Sequence, residues 1–346
     1  MATTCYTDSN FAPAAASNQT GKVIAAFAGK AKALDLAFPD SLRKRLSRVA
    51  ALHPVDWAEA NAPILNQVEA IFGTWGMPLL DKALLDKLPS LKAVFYAAGT
   101  VKKFATPDFF AKSIILCNAN QANAIPVAEY AVSAILLSLK RFWQHSRRLH
   151  LTRSWAQEPV PGAYRSVVGL VSLGSVGLMT AKRLAQYKLN VIAYDPFFSK
   201  EEAAQWGIRL GSLEDVFRNA DVISIHAPSL PETENLVARA LLQMMKPGAT
   251  LINTARGAIV NEGDLCEILQ ERPDLTALLD VTHPEPPPKD SPLFSLSNLF
   301  LTPHISGSMG LEVSRMGEWM VEEFERYLAG ESLKFRVSET ALQTLA

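Results

Sequence analysis

Short apolar runs alternate with helical stretches along almost the whole chain, and no other feature of the sequence restricts the fold as strongly. KVIAAFA (22–28), RVAAL (48–52), VEAIFG (68–73), LKAVFYA (91–97) and SIILCNA (113–119) read as strands, with DSLRKRLS and PLLDKALLDKL as helices between them. Strands this apolar need cover on both faces, and strand–helix alternation is the pattern of parallel α/β sheets. A stretch at 126–144 reads as one long helix and interrupts the rhythm. A second series follows: SVVGLVSL (166–173), LNVIAYD (189–195), DVISIHA (221–227), TLINTA (250–255), LTALLDV (275–281) and NLFLTPH (298–304). These six strands match the two βαβαβ halves of a doubly wound dinucleotide fold. A length of 346 residues fits about two such domains.

Composition narrows the function classes. Hydrophobic residues are 49% and charged residues 20%, which excludes collagen, coiled coil and long disorder. Lys+Arg and Asp+Glu both number 34, so zero net charge gives no reason to expect nucleic acid as a partner. The first 21 residues hold no Lys or Arg and no apolar core, so they are expected to be a mobile polar tail rather than a targeting peptide. AIPVAEYAVSAILLSLKRFW (124–143) is apolar, but Glu129, Lys140 and Arg141 leave too short an uncharged run for a membrane span. Cys5, Cys117 and Cys266 are far apart without CxxC spacing, and the six histidines form no HExxH pair. Neither a disulfide framework nor a metal site is expected, and a reducing cytoplasm fits.

Near the C-terminus, Val313, Met316, Met320, Phe324 and Leu328 recur at helical spacing before Gly330. This predicts an amphipathic helix with a glycine C-cap, docked back on the first unit.

The stretch SVVGLVSLGSVGLMTAKRL runs from a strand through glycines into a helix, the context in which a glycine motif points to pyrophosphate. Ser172, Gly174 and Gly177 form SxGxxG, with Ser175 and Val176 between the glycines. Gly174 would let the pyrophosphate approach and Gly177 would let helix and strand pack closely. Ser172 replaces the turn glycine and must adopt a similar backbone. Asp195 ends the next strand, where a carboxylate would accept hydrogen bonds from the adenosine ribose and repel a 2′-phosphate. The expected cofactor is therefore NAD rather than NADP.

Downstream come TARGAIVNEGDL (254–265), LLDVTHPEP (278–286) and LTPHISGS (301–308), joined by NAIPVAEYA (123–131) and HAPSLPETENL (226–236). In this order and separation the motifs resemble the D-isomer-specific 2-hydroxyacid dehydrogenases. The resemblance spans roughly residues 70 to 335. It implies two Rossmann-like α/β domains: a doubly wound, parallel-sheet NAD-binding domain at 119–304, and a smaller flavodoxin-like substrate domain from 1–118 and 305–346. It also implies hydride transfer between nicotinamide and C2 of a small 2-keto or 2-hydroxy acid.

Such chemistry needs a cation for the carboxylate and a group titrating near neutrality for the keto oxygen. Arg256 in TARG offers a planar fork at a strand end. His304 in LTPH is the implied general acid/base. Glu285 in PEP is implied to bond His304, orient the ring and favour imidazolium. Asp280 resembles the family's nicotinamide contact, although a strand-end acid bonded to nearby amides is nearly as good a reading. Thr254 and Ala255 of TARG, and His226, Pro228 and Thr233 of the adenosine-side loop, complete the implied cofactor set. The long helix is implied to build a homodimer interface.

In the substrate domain, the family's glycine-containing carboxylate loop aligns with YAAGTVKKF (96–104). Ala98, Gly99 and Thr100 supply amides, but Lys102 and Lys103 replace the usual acidic and Asn positions. These lysines are either solvated or drawn to an acidic or phosphorylated tail. A different class remains open, an NAD(H)-sensing interaction protein on the same fold, which would have no need of Arg256, Glu285 and His304.

Overall fold

The five apolar runs of the first series become one parallel sheet. The strands are β1 (Val23–Ala28), β2 (Ala50–His53), β3 (Ala70–Gly73), β4 (Ala93–Tyr96) and β5 (Ile115–Asn118), in the order β2-β1-β3-β4-β5. That is the flavodoxin-like order. The computed structural model describes residues 22–55, 57 and 64–343, so the polar stretch 1–21 lies outside the described residues. The chain divides into two compact units, Met1–Asn120 with Val313–Glu339, and Gln121–Glu312 with Thr340–Ala346.

In the first unit every residue of β3 and β4 is buried, as doubly covered strands require. Register places Phe72 beside Phe27 and Phe95, and the Phe72 and Phe95 rings stack at 5.6 Å. The amphipathic helix Leu311–Ala329 packs here, burying Val313, Met316, Met320 and Phe324. Phe324 sits edge-on to Phe72 at 5.2 Å. Gly317 permits this approach, because a β-carbon there would overlap the Ala37 carbonyl. Leu328 falls outside the buried stripe, and the helix ends at Gly330 with φ +70°.

The segment after this helix is tied down by one buried carboxylate. Glu323 Oε2 accepts the Lys334 and Phe335 N–H groups at 2.8 and 3.0 Å. Val337 N–H then donates to Leu116 O at 2.7 Å, at the edge of β5. Burial pushes the neighbouring Cys117 thiol pKa up.

The second unit holds β6 (Val167–Val171), β7 (Asn190–Tyr194), β8 (Ile208–Leu210), β9 (Val222–Ile225), β10 (Thr250–Asn253), β11 (Thr276–Leu279) and β12 (Leu299–Leu301). All pair in parallel in the order β12-β11-β10-β9-β6-β7-β8. Chain order reverses between β6 and β9, the switch point at which doubly wound sheets bind ligands. Six of these strands are those expected. The seventh, β8, is a three-residue edge strand with exposed Arg209 at its centre, too short and too polar to stand out.

Two further differences from the sequence reading are structural. The expected single helix over 126–144 is a helix at Asn120–Leu139, then a break with Arg141 at φ +48°, then a second helix at Phe142–Thr152. Asn120–Leu139 is long and apolar enough to cross a membrane by length and composition, yet 61% of its most apolar window is buried in the protein. Val132, Ile135 and Leu139 pack in a cluster with Val168, Leu170 and Ile252 of the sheet. The chain also rejoins the first unit at Val313 rather than at 305. Residues just after His304 stay with the second unit because Asp280 and Asn123 hold their backbone, as the site geometry shows.

Candidate active site

Three adjacent strands put their carboxyl ends side by side. β11 lies between β10 and β12, so the loops that follow them carry Arg256, Glu285 and His304 from neighbouring positions. His304 Nδ1 and Glu285 Oε1 are 2.6 Å apart, both side chains less than half exposed. With Nδ1 donating to the carboxylate, Nε2 is the ring nitrogen that can exchange a proton.

Asp280 holds the histidine in place from below. Its buried carboxylate accepts Thr302 Oγ–H at 2.6 Å, Ile305 N–H at 2.8 Å and Ser306 N–H at 2.9 Å. The His304 N–H donates to Asp280 O at 2.9 Å. These bonds support a left-handed backbone at His304, φ +54°, that a non-glycine residue adopts only under constraint. Of the two readings of Asp280, the structure shows its oxygens engaged by the His304 loop. Beyond it, Asn123 Oδ1 accepts Ser308 N–H at 2.9 Å.

Arg256 follows β10 and is partly buried. Its Nη1 donates to Ala255 O at 2.6 Å. Burial lowers the guanidinium pKa, while the nearby Glu285 carboxylate opposes the shift by favouring the charged form. Glu285 thus meets His304 through a hydrogen bond and Arg256 through its charge. Gly257 is a position of close backbone approach that the motif reading passed over. A β-carbon there would overlap the Thr282 carbonyl and crowd His283 N, so only glycine lets the Arg256 turn approach the loop leading to Glu285. Its signal was the dipeptide Arg-Gly at a strand end.

The glycine turn has the shape that a dinucleotide requires. Ser172 takes φ +78°, the turn backbone expected of it. A β-carbon on Gly177 would overlap the Ser172 carbonyl, whereas nothing lies within 4 Å of the side-chain direction of Gly174. That open space faces the start of the helix Ser175–Leu184, where first-turn N–H groups of Ser175, Val176 and Gly177 can meet an anion. Asp195 lies at the end of β7, next to this turn.

Around it the expected loop residues divide into two groups. Thr233 Oγ1 donates to Pro228 O at 2.6 Å and accepts Leu230 N–H at 2.9 Å, so it pins its own loop. His226 and Thr254 are buried, and the His226 ring nitrogens and Thr254 Oγ1 have no hydrogen-bond partner among the described residues. Burial lowers the His226 pKa to about 4, so the ring is neutral. Ala255 N–H is taken by Asn253 Oδ1 at 3.0 Å. The open space over Gly174 and the orphaned polar atoms of His226 and Thr254 fit a bound dinucleotide.

The carboxylate loop belongs to the first unit. Ala98, Gly99 and Thr100 follow β4, and Asn118 Nδ2 fixes the loop by donating to Gly99 O at 2.9 Å. The Gly99 and Thr100 N–H groups donate to no backbone carbonyl among the described residues. They remain available to an anion.

Comparison with known proteins shows the family. The model of "D-isomer specific 2-hydroxyacid dehydrogenase, NAD binding domain" matches residues 132–306, half of the chain. The chain belongs to the D-isomer-specific 2-hydroxyacid dehydrogenase family. Its second unit contains that family's NAD-binding domain. Among curated relatives, D-3-phosphoglycerate dehydrogenase of Mycobacterium leprae is 34% identical over 256 residues, 73% of this chain and 48% of the relative. The enzyme of that name from Methanocaldococcus jannaschii is 32% identical over 255 residues, again 73% and 48%. The chain thus spans about half the length of these relatives.

Solved structures of the same fold cover nearly the whole chain. A phosphoglycerate oxidoreductase from Rhizobium etli superposes with a TM-score of 0.79 at 21% identity, covering 93% of this chain and 100% of that one. A D-isomer specific 2-hydroxyacid dehydrogenase from Lactobacillus delbrueckii ssp. bulgaricus, in its NAD complexed form, gives 0.76 at 20% identity, covering 91% and 99%. At these identities the likeness shows the two-Rossmann fold.

Proposed function

We propose that the chain is an NAD-dependent oxidoreductase that interconverts a D-2-hydroxy acid and its 2-keto acid. The observation that carries this reading is the 2.6 Å contact between His304 and Glu285, with Arg256 under the charge of the same carboxylate. A purely sensory dinucleotide protein has no use for that trio.

Bound NAD supplies the hydride acceptor or donor at its nicotinamide ring. The chain's residues manage the acid and the proton. Arg256 holds the substrate carboxylate and the adjacent oxygen with its planar fork. In the oxidative direction His304 Nε2 removes the hydroxyl proton as hydride leaves C2. In the reductive direction it returns a proton to the oxygen as hydride arrives. Glu285 fixes the ring orientation and stabilises the imidazolium during the transfer.

The assignment to an assembly and a compartment forms part of the same reading. Leu151, Trp155 and Tyr164 expose 70%, 85% and 64% of their surface on the segment after the long helix, which supports a homodimer through the NAD-binding unit. Free, buried Cys117 and Cys266 suit a reducing cytoplasm.

The test is NADH oxidation with glyoxylate, hydroxypyruvate, pyruvate and bulkier 2-keto acids, and NAD reduction with D-3-phosphoglycerate, for which the curated relatives are named. Turnover on at least one acid supports the dehydrogenase. NADH binding without turnover across the panel favours the sensor.

A further inference from the structure

Asp195 has no unused acceptor position. Its Oδ2 accepts Leu173 N–H at 2.7 Å and Ser172 Oγ–H at 3.2 Å. Its Oδ1 accepts Phe197 N–H at 2.8 Å and Phe198 N–H at 3.2 Å. An ionised carboxylate offers about four lone-pair sites, and this chain's own donors occupy all of them. A ribose diol that bonds to Asp195 must therefore displace one.

The four donors are not equally replaceable. Three are backbone amides, fixed by the glycine turn and by the Pro196 turn that follows β7. The fourth is a hydroxyl that swings away by rotation about one bond. It exists only because a serine stands where the motif has glycine, held there at φ +78°. Glycine at this position would leave one lone pair of Asp195 open toward the site.

We propose that Ser172 sets the affinity for the adenosine half of the cofactor, its hydroxyl competing with the ribose for the Asp195 carboxylate. The proposal rests on the NAD-binding reading of this unit. Its consequence is a dinucleotide held more loosely, and released faster, than the fold alone would dictate. Charge-assisted bonds are the strong ones, so freeing the acceptor is expected to tighten binding about tenfold.

The experiment measures the Kd of NADH and of ADP-ribose for the wild-type chain, Ser172→Gly and Ser172→Ala, with melting temperature recorded alongside. Ser172→Gly removes both the hydroxyl and the left-handed strain, whereas Ser172→Ala removes the hydroxyl and keeps the strain. Competition predicts that both variants bind both ligands about tenfold more tightly, although only Ser172→Gly gains thermal stability. It also predicts that the gain disappears with 2′-deoxy-ADP-ribose, which cannot donate the missing bond. Unchanged Kd with a raised melting temperature in Ser172→Gly would show a serine that merely shapes the turn and would overturn the proposal. Weaker binding by Ser172→Ala would overturn it too, by showing that the hydroxyl helps hold the ribose. If neither ligand binds any of the three chains, the cofactor reading itself falls.

Discussion

Glu285 Oε1 meets His304 Nδ1 at 2.6 Å, and this contact engages one of the two ring nitrogens of the imidazole. The histidine backbone is held left-handed at φ +54° by bonds to Asp280 and Thr302. The ring is therefore fixed from two directions, at the main chain and at Nδ1, and Nε2 is the nitrogen the proposed reaction would use.

Removing that nitrogen should abolish proton transfer without emptying the cofactor site. His304→Gln is expected to lower kcat/KM by about 10²–10⁴-fold, the usual contribution of a positioned acid/base. Glu285→Gln should cost less, about tenfold or more, and the double variant should fall well short of the product of the two losses. Steady-state kinetics of all three, with NADH titration as a control, checks the assignment. Activity of His304→Gln within a few-fold of wild type would exclude the role.

Arg256 should show its effect in substrate binding. Arg256→Lys keeps the charge but loses the planar fork, so KM for the acid should rise about 10-fold or more while the NADH Kd stays constant. An unchanged KM would place the substrate carboxylate elsewhere.

Asp280 joins catalysis to stability. Asp280→Ala leaves the part-buried Ile305 N–H and the buried Ser306 N–H without their acceptor, a loss on the order of 2 kcal/mol, and releases the loop that carries His304. Thermal melts and turnover should fall together. A variant that kept full activity at a lowered melting temperature would separate the loop's geometry from the reaction.

His226 gives the fold an acid limit. Its pKa is about 4 in the folded protein, against an ordinary value near 6.5, because burial disfavours the charged ring. The unfolded chain takes up a proton below about pH 6.5 and the folded chain does not. The stability contribution is therefore complete above that pH and lost between about 6.5 and 4, amounting to about 3 kcal/mol. Melting curves from pH 7.5 to 4.5 should show wild type losing stability more steeply than His226→Gln. Parallel curves would rule out this residue as the source.

The expected strands lie within a few residues of those observed, because runs such as VEAIFG and LKAVFYA are buried on both faces and advertise it. The strand β8 escaped notice for the opposite reason. At the sheet edge it needs only one neighbour and tolerates exposed Arg209 at its centre. The break at Arg141 was equally hidden, since the apolar pattern runs on through Phe142 and Trp143 while the backbone changes hand. At the site, Arg256, Glu285 and His304 were legible as residue types in recognisable motifs. Asp280 was legible only as one of two readings, a cofactor contact or an acid bonded to amides, and which loop supplies the amides was not, because main-chain donors some 25 residues away leave no mark in a sequence.

By itself the sequence determined the class of fold, the order of its strands along the chain, and an inventory of one arginine, one glutamate and one histidine at successive strand ends. Only the tertiary structure decided their association. Parallel pairing of β10, β11 and β12 turns separations of 29 and 19 residues into neighbouring loops, with Glu285 at the centre. Gly257 then allows the close approach on one side, and Asp280 fixes the loop on the other. Distances along a chain do not specify distances between strand ends. Those are set by which strands pair, and pairing is a property of the whole sheet.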